Sequence, residues 1–140
     1  MRALILDSEA ISRLARDTWT TAETGDVHAF LTAAIDLAAP VRVPAAVLAE
    51  QYRGVGFDQQ VDSLLSRYKD TIKIVDTDRE LARFVGNLLA RHGRGSQDHV
   101  DATVVATAAR LGGGVILTSD QGDVAALADG LPGVSVEPLR

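Results

Sequence analysis

The chain has 140 residues, 46% hydrophobic and 24% charged, which fits one globular domain with a real core. It contains no cysteine, excluding disulfides and thiolate metal sites, and no apolar run near the ~20 residues that span a bilayer. Its 14 basic and 19 acidic side chains leave a net charge of −5. That balance excludes a passive nucleic-acid coat but not a nuclease, whose bound cations reverse the local sign.

In chain order, Leu4-Ile5-Leu6 is a short apolar run ending on Asp7 and reads as a buried strand. It is too short for the apolar region of a secretory signal, so a cytoplasmic location is expected. Ser8 is expected to cap a first helix reaching about Arg16. Asp17 to Thr24 reads as irregular and polar, with Asp26 opening a second helix. Val41-Arg42-Val43 is the second strand. Pro44 suits the first turn of the helix that carries Val47, Leu48 and Glu50 and stops near Gly54.

Phe57, Val61, Leu64, Leu65 and Tyr68 form one helical stripe, and Ile72-Lys73-Ile74-Val75 alternates as a third strand. Thr77 followed by Glu80 predicts a capping box for a helix to about Arg91. After the loop His92 to Ser96, either Ser96 or Asp98 caps an Ala/Val-rich helix through Leu111. Gly112-Gly113-Gly114 breaks it, Val115 to Thr118 is a fourth strand, Asp120 to Asp129 a short helix, and Val134-Ser135-Val136 a fifth strand. Strands alternating with helices predict a three-layer α/β/α domain over residues 1–140, built on a parallel sheet of four to five strands.

On this frame Asp7 and Asp120 follow strands, while Glu50 and Asp101 sit in early turns of flanking helices. Ligands of open α/β sheets bind beyond the carboxyl ends of the strands, where strand order reverses. Acids converging there repel unless cations lie between them, and hard oxygen donors favour Mg²⁺ or Mn²⁺. Asp98 lies three residues before Asp101, and Asp123 three after Asp120, so each shares a helix face with a member of the quartet. Either is a further ligand or a plain first-turn acid.

The ordered set resembles the PIN domain, especially the stand-alone VapC toxins of toxin–antitoxin pairs. The resemblance is carried by Leu4-Ile5-Leu6-Asp7, by Val43 to Glu50, by Asp98 to Ala108 around Asp101-Ala102, and by Val115-Ile116-Leu117-Thr118-Ser119-Asp120. It implies a Rossmann-like sheet and a Mg²⁺- or Mn²⁺-dependent endoribonuclease, with Asp7, Glu50, Asp101 and Asp120 as its acidic quartet. It also implies a cognate antitoxin, a homodimer and an RNA substrate cleaved with the help of one or two cations.

Thr118 and Ser119 are candidates to orient water or phosphate, and Arg94 to contact RNA phosphates. Trp19 is read as packing against the second helix, with base stacking as its functional alternative. Two other functions compete. An inactive PIN-like scaffold has no reason to keep all four acids. A haloacid-dehalogenase-type phosphatase wants an acid two positions after Asp7, where Glu9 stands, and a lysine between Val75 and Asp120, where there is none.

Overall fold

The computed structural model describes residues 2–16 and 19–139. The apolar runs form five parallel strands: β1 (Ala3–Leu6), β2 (Val41–Pro44), β3 (Ile72–Val75), β4 (Gly114–Thr118) and β5 (Val134–Pro138). Their order is β3-β2-β1-β4-β5. The chain therefore builds outward from β1 to β3, then returns to lay β4 on the other side of β1. The reversal lies between β1 and β4, which pair from Ala3 with Gly114 to Leu6 with Leu117. Both strands are nearly continuous runs of buried residues, as expected for a sheet covered on both faces.

Among the described residues seven α-helices connect the strands: α1 (Ser8–Ala15), α2 (Thr21–Asp36), α3 (Ala45–Gln51), α4 (Val55–Arg67), α5 (Arg79–Arg91), α6 (His99–Arg110) and α7 (Gln121–Ala128). Right-handed crossovers put α1 to α4 on one face and α5 to α7 on the other, and the helix contacts follow that grouping. One cluster of buried residues, with Ile5, Leu6, Ile116 and Leu117 at its centre, joins the layers. The glycine break before β4 has a steric cause. Gly113 adopts φ 116°, and a Cβ there would stand 2.8 Å from the Gly133 carbonyl oxygen.

Several local expectations need correction. α1 is capped by Asp7, whose Oδ1 accepts from the Ala10 N–H at 3.0 Å, rather than by Ser8. α2 begins at Thr21, well before Asp26, because Thr20 and Glu23 form a reciprocal capping box that carries the helix through Gly25. Of the stretch expected to be irregular, Asp17 and Thr18 lie outside the described residues. α3 stops at Gln51, short of Gly54. Phe57 leaves the buried stripe of α4: it is 44% exposed, with the Arg16 guanidinium stacked 4.2 Å from its ring centroid. A 3₁₀ turn (Ser96–Asp98) precedes α6, whose N-cap Asp98 makes no side-chain capping bond.

α5 starts one residue later than its Thr77 signature, because Asp78 accepts from the Leu81 N–H at 2.8 Å. The same carboxylate receives two hydrogen bonds from Arg110 at 2.8 and 2.7 Å, tying the start of α5 to the end of α6. Arg110, then the Leu81 N–H, hold Asp78 down at a pKa of about 2, below its ordinary value of 3.8. A depressed carboxylate contributes stability above its unfolded pKa and loses it as pH falls through the folded value. Arg110→Gln is therefore expected to lower Tm slightly at neutral pH, with the gap to wild type closing as pH drops from about 4 toward about 2. Melting curves across that range check this; a gap that stays constant contradicts it.

Candidate metal centre

The strand reversal brings its two loops together, and hydrogen bonds lock them. The Asp7 N–H donates to the Leu117 carbonyl at 3.3 Å, one residue beyond the last β1–β4 pair. Thr118 closes the connection from below. Its side chain is fully buried, its hydroxyl bonds the Asp7 carboxylate, and its Oγ1 accepts from the Asp120 N–H at 2.9 Å. One hydroxyl thus orients the acid after β1 and the backbone of the acid after β4. Thr118 has no surface left for substrate, which corrects its expected role as a substrate contact.

Above Thr118 opens a cleft of about 390 Å³ whose walls include Asp7, Glu50, Asp101 and Asp120, the four acids singled out from sequence. A larger hollow of about 800 Å³ runs along α4 but holds none of them, so volume alone does not mark the site. Asp7 arrives as the N-cap of α1, Glu50 from the last turn of α3 and Asp101 from the first turn of α6. Asp120 comes as the N-cap of α7. Asp101, Asp120 and Asp123 each offer a carboxylate oxygen within 4.8 Å of the other two. Asp123 thereby joins the centre. Asp98 does not: it stands outside that group of oxygens, with its carboxylate 3.9 Å from Arg94.

Crowded like charges leave an electrostatic signature. Asp101 is pushed up to a pKa of about 7 from an ordinary 3.8. Burial is the largest cause, followed by its hydrogen bond to Asp120 and by the charges of Asp120, Asp123 and Asp7. Burial also raises Asp7, against the lowering effect of hydrogen bonds from Thr118, Ala10 and Ser119. Without a cation, burial and this repulsion favour the protonated form of Asp101. The donor set is all carboxylate oxygen, which fits Mg²⁺ or Mn²⁺ and offers nothing to a softer metal. Asp101, Asp120 and Asp123 have carboxylate oxygens close enough together that they could hold such an ion, and Asp7 and Glu50 line the same cleft as Asp101 and Asp120.

Arg94, expected to contact RNA phosphates, is paired with acids in the structure. Its guanidinium is 3.4 Å from Asp123 and bridges toward Asp98, so it neutralises acids at the rim of the centre. Ser119 remains exposed at the cleft edge with a free-standing hydroxyl available to a ligand, while its N–H serves Asp7.

Sequence reasoning missed part of the cleft. Ser8 and Ser12 line it from α1, and their spacing of four after a strand-end acid was a legible signal for one helix face. Gln51, beside Glu50, is buried and donates from Nε2 to Ser8 Oγ at 2.6 Å, pinning α3 against α1. Trp19 also lines the cleft. The structure ties its indole to α1 rather than leaving it as packing for α2 alone: Nε1–H donates to Ser12 Oγ at 3.0 Å.

The model of the PIN domain family matches residues 4–129. No curated protein sequence matches the chain. Among solved structures, the chain is similar to VapBC2 from Rickettsia felis bound to a DNA fragment from its promoter, at a TM-score of 0.66 and 14% identity, over 99% of each chain. It is similar to DNA-bound VapBC from Salmonella typhimurium, at a TM-score of 0.67 and 14% identity, over 100% of each chain. A third similar structure is VapBC-5 from Mycobacterium tuberculosis, a member of the VapBC family of toxin-antitoxin systems. It matches at a TM-score of 0.56 and 22% identity, over 99% of each chain.

Proposed function

This chain belongs to the PIN domain family, and on that premise we propose that it is a Mg²⁺- or Mn²⁺-dependent endoribonuclease, the toxin of a toxin–antitoxin pair. The observation that carries the chemistry is the convergence of Asp101, Asp120 and Asp123 within 4.8 Å, with Asp101 and Asp120 lining a cleft shared with Asp7 and Glu50. The toxin reading is supported by the full-length likeness to VapBC structures, and it brings with it a cognate antitoxin, a homodimer and a cytoplasmic site of action. No helix among the described residues is long and apolar enough to cross a membrane. Family membership also removes the phosphatase alternative.

Bound Mg²⁺ or Mn²⁺ supplies Lewis-acid polarisation of the phosphoryl oxygen and a lowered pKa for the attacking water. The chain's own contribution is placement. Thr118 fixes the Asp7 carboxylate and the Asp120 backbone in one frame, and the Ala10 N–H takes one Asp7 oxygen so that the carboxyl plane cannot turn. A bound cation would have to displace the Asp101 proton, so cation affinity is expected to rise with pH up to about 7 and level off above it. The Ser119 hydroxyl stands at the edge where a phosphodiester would approach the acids.

The test is incubation of the protein with total cellular RNA, with Mg²⁺ or with a chelator, followed by mapping of the new ends. The expected result is a discrete set of cuts that needs the cation. RNA left intact with both Mg²⁺ and Mn²⁺ sinks the nuclease reading and favours an inactive scaffold. Cutting that persists in chelator sinks the metal dependence.

A further inference from the structure

The acids and Thr118 account for most of the cleft but not for one of its walls. Its lining residues are carboxylates, hydroxyls and an amide, with one exception, the indole of Trp19. Trp19 is the single tryptophan of the chain. The indole is only partly buried and belongs neither to the hydrophobic core nor to the partly buried apolar side chains packed against it, so core filling does not account for its place on the cleft wall.

Its fixation is specific. Ser12 Oγ takes its N–H from the edge, and the Arg13 guanidinium sits 4.8 Å from the ring centroid. Arg13 is itself buried and anchored: it donates to the Glu23 carbonyl on α2 at 2.8 Å and lies 3.5 Å from the Glu9 carboxylate on α1. A desolvated cation near an indole is a strong restraint on the ring. The side chain is thus placed before any ligand arrives and loses little freedom on binding. A cation site next to a fixed aromatic plane fits a ligand in which a phosphate is joined to a flat, apolar-faced group. A nucleotide has that composition.

We infer that Trp19 is a base-stacking residue, taking a nucleobase adjacent to the phosphodiester that the acids engage. This rests on the nuclease reading for the phosphodiester, but the stacking itself is separately measurable. The indole accepts only a base free of its partner strand, so the site selects RNA whose nucleotide next to the cut is unpaired. Base–aromatic stacking corresponds to about 5- to 150-fold in affinity per base.

The experiment uses wild type, Trp19→Phe and Trp19→Ala with oligo(A) RNA and with the matching oligo(A)·oligo(U) duplex, in Ca²⁺ in place of Mg²⁺. Because the chain has one tryptophan, its fluorescence reports this site alone. Single-stranded RNA is expected to quench it, and the duplex to leave it unchanged. Trp19→Ala is expected to lose about 5- to 150-fold in affinity for the single strand, and Trp19→Phe to stay within a few-fold of wild type. Both variants should keep the wild-type gain in Tm on adding Mg²⁺, a readout of the acids rather than the ring. RNA that binds without quenching, or equal affinity in Trp19→Ala, overturns the inference. Quenching by RNA in a protein that never cleaves leaves the stacking in place and removes the nuclease reading. Failure of both RNAs to bind overturns the stacking and leaves the nuclease reading to the cleavage test.

Discussion

Asp101→Asn is expected to stop RNA cleavage, by more than about a thousandfold, while making the metal-free protein more stable at neutral pH. The two effects share a cause. Asp101 carries a pKa of about 7 because burial and the charges of Asp120, Asp123 and Asp7 oppose its ionisation. A carboxyl whose folded pKa exceeds its unfolded value of 3.8 binds a proton more tightly in the native state. Stability is therefore highest at low pH, falls as pH rises above about 4, and reaches its full loss above about 7.

Because Asp101 is only half-buried, solvent screening reduces that loss to on the order of 1–2 kcal/mol. Asparagine keeps the shape and removes the charge, so Tm of the metal-free variant at pH above about 7 should rise by roughly 3–6 °C. Its melting temperature should also vary less between about pH 4 and about pH 8 than that of wild type. Adding Mg²⁺ should reverse the ranking: wild type gains about 2.7 kcal/mol at a hundredfold excess over Kd, and the variant gains little. Loss of activity together with loss of metal-free stability would mean that Asp101 is a structural residue.

Thr118→Val is expected to cost about 10- to 100-fold in activity without touching a carboxylate. Valine matches the shape of threonine but removes the buried hydroxyl that serves Asp7 and the Asp120 N–H. Two polar groups lose their partner, at a cost of about 1–3 kcal/mol in stability. The kinetic consequence is directional. The Thr118 bond lowers the Asp7 pKa against burial, so its removal lets Asp7 rise further and moves the acid limb of the pH–rate profile upward. Thr118→Ser, which restores the hydroxyl, should restore the limb. A uniform fall in rate with an unmoved profile would point to general destabilisation instead.

Thr118 also shows where sequence reading reaches its limit. The element order, the parallel sheet and the convergence of Asp7, Glu50, Asp101 and Asp120 were legible because they rest on periodicity and on topology. Strand ends next to acids say where backbone goes, and the reversal in strand order says which ends meet. They do not say which way a hydroxyl turns. Thr118 looked like a ligand to substrate because it precedes Asp120, yet its place at the end of β4 points it beneath Asp7.

The same distinction separates Asp98 from Asp123. Both lie three residues from a quartet member and both pair with Arg94, but only Asp123 brings a carboxylate oxygen within 4.8 Å of Asp101 and Asp120; Asp98 lies in a 3₁₀ turn before α6, where the three-residue spacing does not carry the α-helical face. Capping boundaries slipped for a similar reason. Thr77 and Asp78, and Ser8 and Asp7, are adjacent residues with equal chemical claims, and tertiary neighbours decide between them. Trp19 was ambiguous because an aromatic in a polar segment has no periodic neighbours to fix its face.

Calorimetric titration with Mn²⁺ tests whether these acids form a divalent-cation site. Wild type near pH 7 should bind saturably and release protons, seen by repeating the titration in buffers of different ionisation heat. Asp120→Asn should bind far more weakly and release fewer protons. Absence of binding by wild type, or equal binding and proton release by Asp120→Asn, would contradict the site.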